Sequence, residues 1–339
     1  HYSMKRFLPY IVSVLFLAQT MTAQIIPNLG GQRVGISSLQ FLKIGIGARG
    51  TGMAEATVAT ANDVSALFWN PAGIANSSEN EFMAAYSAYV VDLYHQFVGV
   101  TYHLTTDDVL GLSVIGLQSD DMPVTTETQP LGTGAYFKYS DIAVGVTYAR
   151  RMTTQFNFGI TAKYVEENLA ALKIQTVLVD LGTYYSTGLG SLRIGVAVTN
   201  FGSDVAPDGT ARLLDGSSVS SFQSFSPPTM FKVGVAYDVI NSGDHLLTTA
   251  LQLNHPNDNA EHIRVGAEYG WKSWFFVRAG VKRTIGSSMF KEDETAAENY
   301  SFGVGVHIPM TLTTLKFDYS FTDFNLLGAI HRISCGFVY

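Results

Sequence analysis

The sequence predicts an all-β chain that closes into a fourteen-stranded antiparallel transmembrane β-barrel with an N-terminal plug. Three observations carry this prediction. Only 14% of the 339 residues are charged while 47% are hydrophobic, against about 25% charged in a soluble globular protein, so much of the surface is not built for water. From Glu81 onward the chain alternates with a period of two, apolar or aromatic residues on one face and Gly, Ala, Thr or charge on the other. The longest connections between these segments all fall at one end of an up-and-down order, the arrangement of outer-membrane barrels.

Before the strands, Lys5 and Arg6 follow Met4, an apolar run spans 7–18, and Thr20-Met21-Thr22-Ala23 precedes Gln24. A short basic region, a 12-residue apolar stretch and a small residue at the cut read as a secretory signal peptide over 1–23, cleaved after Ala23. His1-Tyr2-Ser3 stands upstream of the start at Met4 and is left out of fold reasoning. No other stretch reaches the ~18 consecutive apolar residues of a membrane helix.

The fourteen strands are expected at 81–90, 93–104, 108–119, 141–152, 155–167, 172–187, 190–202, 229–239, 244–254, 260–270, 274–284, 299–308, 312–321 and 327–339. Most have the ~10-residue length that crosses an outer membrane. Alternation alone fits a sandwich as well as a barrel; connection parity separates them. The segments 120–140, 203–228 and 285–298 follow strands three, seven and eleven, which places all three at one end, outside the cell. Along the last strand Ile333, Cys335, Phe337 and Tyr339 share the lipid-facing side, opposite Arg332, Ser334 and Gly336, and Cys335 reads there as a small hydrophobe.

Eight strands leave an interior filled by side chains and sixteen leave an aqueous channel. A fourteen-stranded lumen therefore needs a filler, and residues 24–80 precede the first strand. Their small residues, from Gly45 through Ala61, permit close packing, so 24–80 is expected to be the plug and 81–339 the barrel. Gly45-Ile46-Gly47-Ala48-Arg49-Gly50 spells GxGxxG, but no parallel βαβ unit follows it, so the glycines are read as letting backbone pass close to the wall rather than as a dinucleotide site. Trp69-Asn70-Pro71-Ala72-Gly73 either gates the lumen or, in the simpler reading, makes a turn that seats the plug.

Phe41-Leu42-Lys43-Ile44-Gly45, Ala48-Arg49, Gly52-Met53 and Trp69-Asn70-Pro71-Ala72-Gly73 resemble the start of the PorV/PorQ family. Later stretches continue the resemblance: Thr125-Thr126-Glu127, Gly132-Thr133-Gly134, Ser140 to Gly145, Thr199-Asn200-Phe201-Gly202, His255 to Asn259, Gly266 to Tyr269 and His331 to Ser334. The resemblance implies a barrel similar to the fatty-acid transporter FadL, whose hatch carries a comparable Asn-Pro-Ala-Gly, and marks Arg49, Gly52, Trp69, Asn70, Pro71 and Gly73 as hatch residues. It further implies the outer membrane of a Gram-negative, Bacteroidota-like cell and a role in type IX secretion, with the translocon and secreted cargo as partners beside the surrounding lipid. Phe222 and Phe225 are the aromatic candidates for gripping a partner in loop 203–228. The rival reading is a FadL-like transporter holding a lipid or other hydrophobic ligand in its lumen.

Several classes are set aside. The 28 acidic and 21 basic residues give a net charge of −7, which offers no basic face to nucleic acid. One cysteine makes neither a disulfide framework nor a thiolate zinc site. His255, Asp258 and His262 cluster near a short outer loop without the surroundings of a metal centre. No nucleophile elbow is present, and neither a catalytic constellation nor a cofactor is expected. The lumen-facing charges Arg151, Lys163, Asp180, Arg193, Lys232, Asp238, Arg264, Glu268, Arg278, Lys282, Lys316, Asp318 and Arg332 are expected to pair with one another and with the plug, because buried charges need partners.

Overall fold

Fourteen long strands form a single closed antiparallel ring: β1 (Glu81–Ala88), β2 (Leu93–His103), β3 (Asp108–Ser119), β4 (Tyr139–Arg151), β5 (Phe156–Leu169), β6 (Leu172–Ser186), β7 (Arg193–Phe201), β8 (Met230–Ser242), β9 (His245–Pro256), β10 (His262–Trp271), β11 (Phe275–Thr284), β12 (Tyr300–Pro309), β13 (Thr314–Asp323) and β14 (Ala329–Val338). Each pairs with its sequence neighbours, and β1 pairs with β14, Glu81 opposite Val338, so the ring has no free edge. The computed structural model describes residues 35–77, 79–213, 216–285 and 298–339. The expected signal peptide, the first residues of the expected plug (24–34) and positions 286–297 of the third long connection lie outside the described residues.

Alternation along the strands sends apolar residues outward, the reverse of a soluble sandwich, and polar residues or glycine to many inward positions. On β2, β3, β5 and β6 the inward set also includes Phe97, Ile115, Leu117, Val165 and Leu178, which pack with the lumenal segment. On β14, Ile333 is 58% exposed while Arg332 next to it is 1% exposed. Val98, Leu112, Val146, Val177 and Leu251 on other strands are likewise exposed. Such an apolar belt over a charged interior is stable only where the outside is hydrocarbon. Exposed aromatics bracket the belt as interfacial girdles. Tyr102, Tyr185, Trp271 and Trp274 stand at one end, and Tyr86, Phe201, Phe231 and Phe302 at the other.

Connections 104–107, 152–155, 187–192, 243–244, 272–274 and 310–313 make a turn end with no link longer than six residues. The three long connections, 120–138, 202–229 and 285–299, share the opposite, loop end. Two carry ladders that strand periodicity did not announce: Met122–Pro123 with Tyr136–Phe137, and Ala211–Arg212 with Ser218–Val219. The largest boundary offsets are three residues: β7 begins at Arg193 where 190 is expected, and β8 runs to Ser242 where 239 is expected, its pairing register shifting between Asp238 and Ile240 to carry the strand across a bulge.

Residues 35–77 run inside the ring. They comprise a 3-10 turn at Gln40–Lys43, the short helices α1 (Ala48–Gly52) and α2 (Ala66–Trp69), and a 3-10 helix at Pro71–Asn76. The segment begins at the loop end, where Ser37 bridges Ser226, and descends to the turn end, where β1 starts. Ala48, Ala66 and Ala72 are fully buried; only small side chains let so many backbone turns fit inside one enclosure.

Candidate functional site

The lumen is the candidate site, and an ion chain crosses it. Arg49, on α1, donates from Nε to Glu268 Oε2 at 3.0 Å and from Nη2 to Oε1 at 2.9 Å. Its Nη1 donates to Asp63 at 2.7 Å and to Asn62 at 2.7 Å. Glu268 on β10 accepts a further bond from Arg278 on β11 at 2.6 Å, and Arg278 reaches Asp318 on β13 at 2.6 Å. Acid and base alternate along Asp63, Arg49, Glu268, Arg278 and Asp318, so each inner charge sits between opposite charges, the condition that makes buried ions tolerable. Burial alone would raise the Asp63 carboxyl; the Arg49 and Lys316 charges outweigh it and hold the group well below the usual carboxylate range. Burial likewise works against the Arg49 charge, but Glu268 and Asp63 raise its pKa further.

Asn70 anchors the segment on the opposite wall. It is 0% exposed, accepts from Ala72 N at 3.2 Å as the cap of the 3-10 helix, and donates from Nδ2 to Val58 O at 2.8 Å and to Thr183 O of β6 at 3.0 Å. Pro71 opens that helix at a position where no amide donor is needed. Gly73 is pressed against Ala61 O and Ala66, where a Cβ has no room. Trp69 lies edge-to-face with Phe68 at 4.7 Å, and its indole nitrogen rests over Gly50.

Close approach to the wall is made mainly by glycines of the wall itself. Gly159, Gly182 and Gly195 face Pro71, Asn70 and Val58, and Gly280 faces Met53. Gly52 meets Gly303 of β12 so nearly that a Cβ on either would stand 3.1–3.2 Å from the other's Cα. Within the GxGxxG stretch only Gly47 sits near a wall side chain, Met83, whereas Gly45 and Gly50 make room for Glu55 and Trp69. The expectation that these glycines pass the backbone along the wall is corrected to that extent.

At the loop end Asp258 holds the start of the segment. Lys43 Nζ donates to it at 2.9 and 3.0 Å, Gln40 at 2.8 Å, and Ser37 also bonds it. Burial works to raise this carboxyl, and the bonds from Ser37, Gln40 and Lys43 prevail and lower it. Of the residues weighed beside it, His255 faces Glu261 at 3.0 Å and His262 faces Arg264 at 3.2 Å. Other inward charges pair as expected: Lys163 with Asp180 at 2.8 Å, Arg193 with Asp238 at 2.7 Å, Lys282 with Glu298 at 2.8 Å and Lys316 with Glu81 at 2.5 Å. Two depart from the expectation among the described residues: Arg332 donates to the Thr322 hydroxyl at 2.9 Å, and Lys232 has no carboxylate partner because Lys163 and the Asn200 amide occupy Asp180. Arg264 pairs with Glu55, and Arg151 donates to Ala75 O at 2.9 Å.

Polar cavities remain between segment and wall. One of about 300 Å³ is bordered by Arg49, Asn62, Arg193, Asp238 and Glu268. Another of about 40 Å³ lies across Arg49, beside Asp63, Lys316 and Asp318. Phe222 and Phe225 are both half-buried in the second long loop, and the Phe225 backbone exchanges two hydrogen bonds with Val205 at 2.7 and 2.9 Å. Sequence reasoning did not single out Asp63, Glu55 or Glu81; the partners of Glu55 and Glu81 lie 209 and 235 positions away, and that of Asp63 14 positions away. An isolated acid within an otherwise apolar, small-residue stretch is the signal that marks Glu55 and Asp63.

A family model described as Type IX secretion system protein PorV matches residues 29–256. The chain belongs to the PorV family. It is thus an outer-membrane barrel of the type IX secretion class, and its fold is that of FadL-like barrels. A Pseudomonas aeruginosa FadL homologue superposes with a TM-score of 0.56 at 13% identity, covering 87% of this chain and 98% of that one. The Ralstonia pickettii toluene transporter TbuX gives 0.55 at 12% identity over 87% and 97%. The Pseudomonas putida toluene transporter TodX gives 0.53 at 12% over 92% and 99%. At these identities the likeness establishes the fold. No curated protein matches the chain in sequence.

Proposed function

We propose that this PorV-family barrel is a non-enzymatic secretion component in the outer membrane of a Gram-negative cell. Its lumen is closed by residues 35–77, and its loop end faces outward and engages exported cargo and the translocon. The observation that carries the reading is the ion chain from Asp63 through Arg49 and Glu268 to Asp318. It fastens the segment across the lumen and leaves polar cavities of about 300 and 40 Å³ where an apolar conduit would run. With the interior occupied, the long connections 120–138 and 202–229 are the surface left for a protein partner. Purification in mild detergent tests this: translocon or cargo proteins should accompany the barrel, and substitutions within 203–228 should reduce their recovery more than Arg49→Ala does. Recovery of lipid alone would contradict it.

A second reading, passage of a small apolar molecule, draws on one observation. A cleft of about 370 Å³ opens in the wall at Gly116, between Val98, Val114 and Ile142 and above Phe97 and Leu117. Uptake of an apolar nutrient that is lost on Gly116→Phe would favour it.

A further inference from the structure

Lys232, on β8, points inward and is 6% exposed. Among the described residues its ammonium has no hydrogen-bond acceptor and no carboxylate within ion-pair distance; what it meets are two aromatic faces, Phe68 at 5.5 Å and Trp69 at 5.7 Å from the ring centres. Cation–π attraction offsets only part of the cost of taking an ammonium out of water. The nearest acid is already used. Asp180 is bonded by Lys163 at 2.8 Å and by the Asn200 amide at 2.7 Å, so two ammonium groups share one carboxylate. The remaining charges around the same space, Arg264 with Glu55 and Lys43 with Asp258, are balanced pairs. The enclosure therefore carries one uncompensated positive charge.

Lys232 borders a cavity of about 10 Å³ whose wall also includes Trp69, Thr199, Asn200, Gln252 and Asn254. That volume takes one particle of about water size. We propose that this cavity binds one monatomic anion, a halide, held by the Lys232 ammonium with hydroxyl and amide groups around it. A lipid carboxylate does not fit, because its chain has nowhere to go. The anion balances the Lys232 ammonium that joins β8 to the faces of Phe68 and Trp69, and so contributes to seating the lumenal segment. The proposal rests on the geometry of the lumen and is independent of what the loop end binds.

The test is anomalous diffraction from crystals of the full chain grown in bromide, paired with thermal melting in chloride and in gluconate at equal ionic strength. A bromide peak within hydrogen-bond distance of Lys232 Nζ is expected, together with a melting point several degrees higher in chloride than in gluconate, which is too large for the cavity. Lys232→Met should remove both the peak and the chloride dependence while the barrel keeps its folded gel mobility. A water in place of the peak, a peak that survives in Lys232→Met, or equal melting of the wild type in the two salts would overturn the proposal. The first and last of these readouts use the wild type alone, so they hold even if the variant does not fold.

Discussion

Arg49 and Glu268 stand 219 positions apart in the chain and meet through two parallel hydrogen bonds of 2.9 and 3.0 Å. This fork joins the lumenal segment to β10, as the Glu55–Arg264 pair also does, and it divides the interior, since Arg49 borders both the 40 Å³ and the 300 Å³ cavities. Arg49→Ala should merge the two spaces and leave Glu268 with a single cationic neighbour. The expected cost is about 3 kcal/mol, the lower end for breaking a buried pair, because the Arg49 side chain keeps 23% exposure. Single-channel recording should then find raised conductance. Arg49→Lys restores the charge without the planar fork and should recover only part of the seal.

Acid should loosen the same tie. The Asp63 carboxyl is depressed in the folded protein, with Arg49, Lys316, Ser65 and Glu81 around it. A depressed acid contributes stability above its unfolded pKa, about 3.9, and loses it as pH falls toward the folded value. Protease resistance of the segment should therefore hold at pH 5 to 7 and decline below about pH 4. Asp63→Asn should flatten that dependence. A decline centred near neutral pH would assign the acid response to another group.

Asn70 satisfies three backbone groups at once, so Asn70→Ala strands the Val58 and Thr183 carbonyls and the Ala72 amide. Losing buried bonds of this kind costs about 1–3 kcal/mol per group, so a total of at least about 3 kcal/mol is expected in urea unfolding. Asn70→Asp should be as damaging or worse, because an acceptor then faces two carbonyl oxygens.

The approach of Gly52 to Gly303 allows a graded test. Gly303→Ala asks its neighbours to yield by a few tenths of an ångström, whereas Gly303→Leu should expel α1 while β12 keeps its pairing to β11 and β13. Limited proteolysis should cut residues 48–52 in the Leu variant only, with the barrel remaining heat-modifiable on gels.

Orientation follows from loop length. In a Cys335→Ser background, cysteine at Thr128 should label on intact cells with an impermeant reagent and cysteine at Thr154 should not, because short turns face the periplasm. The opposite pattern would invert the barrel.

Much of this fold was legible before any coordinates. Each of the fourteen long strands from Glu81 onward announces itself by a period of two, and the parity of three long connections places them together. The outward set Ile333, Cys335 and Phe337 reads directly from alternation. Partner identities in the lumen did not read out. Arg49 was marked by its motif, but nothing local joins it to Glu268 rather than to another inward acid, since register around a closed ring decides which charges meet. The short loop ladders were hidden because two-residue pairings leave no periodicity. Phe222 and Phe225 were marked as partner-contact candidates by their aromatic character alone, and periodicity did not announce the pairing of Phe225 with Val205 inside the same loop.

The central claim is that the protein serves secretion with its lumen closed. Fractionating a strain that lacks it, with apolar-nutrient uptake measured on the same cultures, tests this most directly. The account predicts exported proteins retained in the periplasm and uptake unchanged. Normal secretion with uptake lost would contradict it.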